Sequence, residues 1–398
     1  MYNLFMSEPD ALMHPKALSS LRREWLIYLA ASLAFVLGGY LLLASAWEPR
    51  YALRWLVVTL GLVAYQFGYL YRHLLDNRLK DGADTAVFPN LGLANGLTTA
   101  RSVLTAALAG FLTVPWPGGW LAWAPGLLYL TSAVMDYLDG YVARITGRTT
   151  VLGEDLDMRW DGTGMLFGAT LSVLYGQTPL PYLLVGLARY AFLFGLWVRE
   201  RRGQPVYDLP PSRFRRALAG MQMGFVAVVL LPVYGPPVTQ IAAVFFMLPL
   251  LIGFARDYLW VTGRLMPPEQ DKTARLAQFH QRLTIFLPLA LRALLAALLV
   301  NLIVYLLHQA PLAWTMIVLA GLAALSVVIG AAGRVFALLV VLMAGFSLRA
   351  APLEWRYWFI LVCSILLFMS GTGRYSLWKP EDWLIYRRAG DRAAQQQA

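Results

Sequence analysis

Long uncharged apolar runs recur from one end of this chain to the other, and they restrict it to very few folds. Inside a bilayer, backbone amides and carbonyls find no water, so a crossing segment must hydrogen-bond to itself. A helix of about 20 residues does this and spans the hydrocarbon layer. The expected fold is therefore all-α and polytopic, with about twelve transmembrane helices. Their approximate limits are 25–47, 55–71, 98–115, 119–137, 160–176, 181–198, 217–233, 238–258, 284–307, 312–330, 334–349 and 356–372. Composition excludes an ordinary soluble protein: 14 % of residues are charged and 59 % apolar, against roughly 25 % charged in soluble domains. Residues 1–24 are polar and mixed, without the apolar core of a signal peptide.

Basic residues set the expected orientation. With the N-terminus inside, about 26 of the 33 Lys and Arg fall in cytoplasmic loops or tails and about four outside. The net charge of +11 then reads as contact with anionic lipid on the cytoplasmic face of a cell membrane, not as nucleic-acid binding. Cys363, the single cysteine, excludes an intrachain disulfide and reads as a small core residue.

Three blocks are expected. Residues 1–83 hold two helices, residues 84–262 hold six, and residues 263–398 hold a charged linker (264–283), four helices and a polar tail.

The chemistry concentrates between Asp136 and Asp161. Asp136 and Asp139 are three apart and Asp157 and Asp161 four apart, so each pair shares one helical face. In the expected topology both pairs lie at the cytoplasmic ends of adjacent antiparallel helices. Four converging carboxylates repel one another, and divalent cations relieve this; Mg²⁺ is the usual partner of carboxylate and phosphate oxygens. Two such ions can clamp a phosphoryl group during in-line attack by an alcohol. Gly140 leaves room for a nucleotide, Gly153 frees the connecting loop to turn, and Arg144 supplies positive charge for a phosphate. An acidic pair at a helix end is often only a solvated cap. The complete spacing, Asp136-x₂-Asp139-Gly140-x₂-Ala143-Arg144-x₈-Gly153-x₃-Asp157-x₃-Asp161, arises by chance with a probability on the order of 10⁻⁷.

These eight residues resemble the full signature of the CDP-alcohol phosphotransferases, and Asn95-Gly-Leu-Thr98-Thr-Ala-Arg101 resembles that family's entry to its first core helix. The resemblance covers about residues 88–262. It implies a six-helix catalytic core, usually homodimeric, and two Mg²⁺ (or Mn²⁺) held by Asp136, Asp139, Asp157 and Asp161. It further implies that Asp161 is the base toward the acceptor hydroxyl. Gly140, Ala143, Arg144 and Thr150 would line the CDP moiety, with Asn95 and Thr98 as further candidates. The reaction implied belongs to phospholipid synthesis: a phosphatidyl group passes from CDP-diacylglycerol to a small alcohol, and CMP is released. For a phosphorylated acceptor such as glycerol 3-phosphate or inositol phosphate, the candidate contacts are Arg189, in the middle of the sixth span, and Arg213 and Arg216, one turn apart.

An inactive core acting as a scaffold is disfavoured by the intact set of four aspartates, and two rival readings remain at this level. One is a soluble CDP-alcohol giving its head group to diacylglycerol; the other is a twelve-helix transporter, whose site would lie near the bilayer midplane. Farther along, Arg292 reads as a snorkelling arginine and Asn301 as a hydrogen-bonding partner for a neighbouring helix. The stretch Gly371-Thr-Gly373-Arg374-Tyr-Ser376-Leu377 faintly resembles the end of small DoxX-like membrane proteins.

Overall fold

The computed structural model describes residues 15–80, 86–209, 212–265, 270–309, 314–373 and 375–380, without the side chains of 213, 214, 270–285 and 309. Among the described residues there are twelve α-helices and no strands. They are α1 (Pro15–Ala46), α2 (Pro49–Arg72), α3 (Gly92–Gly110), α4 (Ala124–Ile145), α5 (Val151–Leu174), α6 (Leu183–Arg201), α7 (Arg213–Val229), α8 (Val238–Val261), α9 (Gln270–Gln309), α10 (Trp314–Ile329), α11 (Gly333–Ala350) and α12 (Trp355–Ser370). Each expected span corresponds to one of these helices. Six of them (α1, α2, α6 with its preceding 3₁₀ turn, α8, the 286–308 part of α9, and α11) are long and apolar enough to cross a membrane. The chain is a polytopic membrane protein.

Several boundaries differ from expectation, among them the start of α1 at Pro15 and the end of α4 at Ile145. Helix α9 begins at Gln270, inside the stretch read as a linker, because charged residues at its start do not interrupt helical hydrogen bonding. Helix α5 begins at Val151, so Asp157 and Asp161 stand in its second and third turns.

Helix α3 is the hub. Its sequence from Asn95 to Gly110 is rich in Gly, Ala, Ser and Thr, and almost every residue there is buried. Small side chains let neighbouring backbones approach closely, which is how helices associate where lipid is as apolar as leucine. The indole of Trp55 on α2 donates to the carbonyl of Ala107 at 2.7 Å, and the amide of Gln66 donates to that of Ser102 at 2.9 Å. Helices α4 and α5 both pack extensively on α3 but touch each other little beyond their short connecting turn. They are therefore flanks of α3, not the directly packed neighbours expected from sequence.

The final helices are held by polar contacts as well as apolar ones. The guanidinium of Arg292 is buried and donates to the carbonyls of Val327 (2.7 Å), Val328 (2.6 Å), Thr372 (3.2 Å) and Tyr375 (2.6 Å). It does not snorkel: the unpaired carbonyls ending α10, at the negative pole of that helix, hold it inside. Asn301 accepts from Arg356 at 2.9 Å, as expected of an interhelical partner. Cys363 is buried with its thiol toward the carbonyl of Leu291. Arg374, within the DoxX-like stretch, lies outside the described residues.

Candidate active site

The turn between α4 and α5 is where the site is assembled. Thr150 is the N-cap of α5; its hydroxyl accepts from the amide of Gly153 at 3.0 Å, satisfying one orphan donor of the first turn. Behind it, Asn95 donates to Thr150 and to Asn77, each at 3.1 Å, and Asn77 in turn holds the carbonyls of Phe88 and Asn90. The backbone of Arg78 and Lys80 pairs with Thr149 and Val151. Arg148 donates to Asn90 and lies over the ring of Phe88 at 4.1 Å. Burial lowers its pKa, Glu24 opposes the shift, and it stays a cation. Three segments distant in sequence are thus locked around the start of α5.

Gly153 has a different reason to be glycine from the one expected. It lies inside the first turn of α5, and a Cβ there would come within 2.4 Å of Asn95 Oδ1 and 3.0 Å of Thr150 Oγ1. Its role is close approach, not freedom of a loop. Gly153→Ala is expected to lose about 1–3 kcal/mol of stability through overpacking of the cap; a thermal melt in detergent equal to wild type would refute this.

On this frame the four aspartates meet as expected, but around a residue to which no role was assigned. The guanidinium of Arg101, only 2 % exposed, stands between them. Its Nη1 is shared by Asp136 and Asp161, its Nη2 donates to Asp157 at 2.7 Å, and its Nε is 3.6 Å from Asp139. Thr98 donates to Asp139 at 2.8 Å. Asn95, Thr98 and Arg101 recur every three residues on one face of α3, and an arginine in an apolar helix was the available signal. What hid its role is that α3 lies between the two aspartate helices.

The geometry fits a divalent cation. Asp136, Asp139 and Asp157 each offer a carboxylate oxygen, and the three atoms lie within 4.8 Å of one another. Asp161 reaches the same guanidinium nitrogen as Asp136. Four carboxylates against one arginine leave a strongly negative, oxygen-only donor set, which suits a hard ion such as Mg²⁺.

These aspartates form one end of a cavity of about 930 Å³. Gly140, Arg144 and Arg216 lie at the same end, and the remaining lining is mostly apolar. The other candidates lie elsewhere. Asn95, Thr98 and Thr150 are buried behind the carboxylates, and Ala143 is half-buried near the end of α4. Arg189 packs across α5, its Cδ 3.3 Å from where a Gly162 Cβ would stand, next to Asp161 but outside the cavity lining. The side chain of Arg213 lies outside the described residues.

Residues 91–255 match the family model for CDP-alcohol phosphatidyltransferase. That segment is thus similar to the CDP-alcohol phosphatidyltransferases, over the same region whose aspartate spacing resembles them. It covers α3 through most of α8 and contains all four aspartates and Arg101. No match was found among curated proteins or among solved structures.

Proposed function

We propose that this protein is a phosphatidyltransferase that takes CDP-diacylglycerol as donor and a small alcohol as acceptor, and releases CMP. The observation that carries the reading is a single cavity with four aspartates and two arginines at one end and apolar walls beyond. A CDP-lipid has the same polarity: a diphosphate and nucleotide joined to hydrocarbon. One or two divalent ions bound at Asp136, Asp139, Asp157 and Asp161 would supply Lewis-acid neutralisation of the diphosphate.

The protein's own groups account for the rest. Gly140 lets the Arg144 guanidinium lie against α4, 3.1 Å from where a Cβ would stand, and Arg144 there offers its charge to a phosphate of the nucleotide. Asp161 accepts the proton of the acceptor hydroxyl as that oxygen attacks the lipid-side phosphorus. The new P–O bond forms while the phosphoanhydride bond breaks, and CMP departs with the electron pair. Arg101 holds the carboxylates together before substrate arrives, so little reorganisation remains for the chemical step. Asn95, Thr98 and Thr150 fix this cluster from behind; on this geometry they position it and do not touch the nucleotide.

The distribution of basic residues supports a site open to the cytoplasm, and the family resemblance supports a homodimer. Asp139 lies six residues before the end of α4 and Asp157 six residues after the start of α5, with Asp136 and Asp161 about one turn deeper. That placement favours an interfacial site over the midplane site of a transporter.

The test is CMP release by purified protein supplied with Mg²⁺, CDP-diacylglycerol and a panel of acceptors: glycerol 3-phosphate, inositol 1-phosphate, inositol and serine. CMP release that depends on acceptor supports the proposal. Release only from a soluble CDP-alcohol with diacylglycerol would reverse donor and acceptor. For a phosphorylated acceptor, Arg216 is the contact best placed, with Arg189 next. Arg216→Ala should raise the acceptor KM at least tenfold, about 1.4 kcal/mol, with a smaller change for the CDP-lipid. An unchanged acceptor KM in both Arg216→Ala and Arg189→Ala would exclude these contacts.

A further inference from the structure

The family match ends at residue 255, which leaves α9 to α12 without a task. They are not loosely appended. The hydroxyl of Tyr234 donates to the carbonyl of Leu342 at 3.1 Å, and Arg349 donates to that of Val233. Phe246 on α8 meets Phe368 on α12 with ring centroids 6.5 Å apart, and one continuous buried apolar cluster joins the two parts.

The cavity that starts at the aspartates runs along α7 from Arg216 to Val229, roughly 20 Å at the rise of a helix. That exceeds half of a hydrocarbon layer about 30 Å thick. Part of its lining comes from beyond the family segment: Leu338, Val341 and Leu342 on α11, and Leu361 and Phe368 on α12. On α7, Gly220 and Gly224 line it, and a Cβ at either would meet nothing within 4 Å. Open space therefore exists where α7 lacks side chains, and α11 and α12 contribute to the walls around it. At about 930 Å³ the cavity lies at the upper end of ordinary ligand pockets, roughly 300–1,000 Å³.

We propose that α11 and α12 complete a chamber for the hydrocarbon chains of the lipid substrate and so set which chains are accepted. This rests on the reading that the group at the aspartates belongs to a lipid. Charge and polarity argue for that occupant: every Asp and Arg side chain lining the cavity lies on α4, α5 or the start of α7. An amphiphile with a phosphate head and apolar tail matches that division. Bilayer lipid is as apolar as these walls, so no hydrophobic gain draws a chain from the membrane into the chamber. Discrimination must come from fit, and narrowing the chamber should exclude long chains sharply.

The experiment compares dipalmitoyl with dioctanoyl CDP-glycerol on the full-length enzyme. Leu342→Trp and Gly224→Leu narrow the chamber from two different walls. Each should lower the ratio of kcat/KM for the dipalmitoyl donor to that for the dioctanoyl donor at least tenfold. Leu339→Trp, on α11 but outside the cavity lining, should leave that ratio at its wild-type value. Leu342→Phe serves as the milder variant if the tryptophan prevents folding. A ratio unmoved in folded Leu342 and Gly224 variants would overturn the proposal. If wild-type protein releases no CMP from either donor, the donor reading fails separately. The chamber is then tested by native mass spectrometry with dipalmitoyl phosphatidic acid as probe. Retention by wild type and loss in the Leu342 variant supports it; equal retention, or none by wild type, overturns it.

Discussion

Asp136→Asn and Asp157→Asn are each expected to lower turnover at least about a hundredfold while leaving the protein folded. Asparagine keeps the shape and one oxygen of the carboxylate but removes its charge. A cation site that relies on that charge should lose roughly 3 kcal/mol or more of transition-state stabilisation. Stability should not fall with activity, because the four carboxylates of this cluster crowd a single guanidinium. Neutralising one relieves repulsion among the rest, so the melting temperature should stay level or rise. Asp161→Asn should act differently from a pure metal ligand, with its loss falling mainly on kcat and little on affinity for the CDP-lipid. The measurements are CMP release and thermal unfolding of each variant. Wild-type rates in excess chelator would exclude the metal assignment.

Arg101→Ala should have the opposite profile, losing stability as well as activity. Arg101 brings its positive charge to four carboxylates of which only Asp139 is almost fully buried; the side chains of Asp157 and Asp161 are 46 % and 33 % exposed. Leaving a buried charge uncompensated costs about 3–5 kcal/mol, and solvent screening at the exposed members brings the expected loss toward about 3 kcal/mol. A divalent cation can replace the missing charge, and anything that binds only the folded state stabilises it by mass action. The variant should therefore unfold earlier than wild type in chelator and recover part of the difference in Mg²⁺. Arg101→Lys should recover little, since an ammonium cannot present the fork of donors that several carboxylates share. Melting of Arg101→Ala at the wild-type temperature in chelator would show that the arginine is not the counter-charge of the cluster.

The contrast between these variants follows from what could be read without coordinates. Asp136, Asp139, Asp157 and Asp161 were legible because a helical period turns spacing into a shared face, and because charge is costly inside an apolar chain. Arg101 was visible as a residue but not as their partner. Spacing relates positions along one helix and carries no information on which helix is wedged between two others. Gly153 shows the same limit: its sequence neighbours suggest a turn, while the constraint comes from Asn95 on another helix. The arginine at 292 was misread as snorkelling because the carbonyls it serves belong to α10 and to the segment after α12.

The number and order of the helices, the membrane setting and the aspartate pairs were determined by the sequence itself. All of them depend on local hydrogen bonding, hydropathy and a repeating angle of about 100° per residue. Tertiary structure alone decided that α3 separates α4 and α5, that one guanidinium gathers four carboxylates, and that α11 and α12 border the cavity. The physical reason is that in lipid, packing among helices depends on shape and on the placement of small residues. A hydropathy pattern marks each helix as apolar without saying which apolar face meets which.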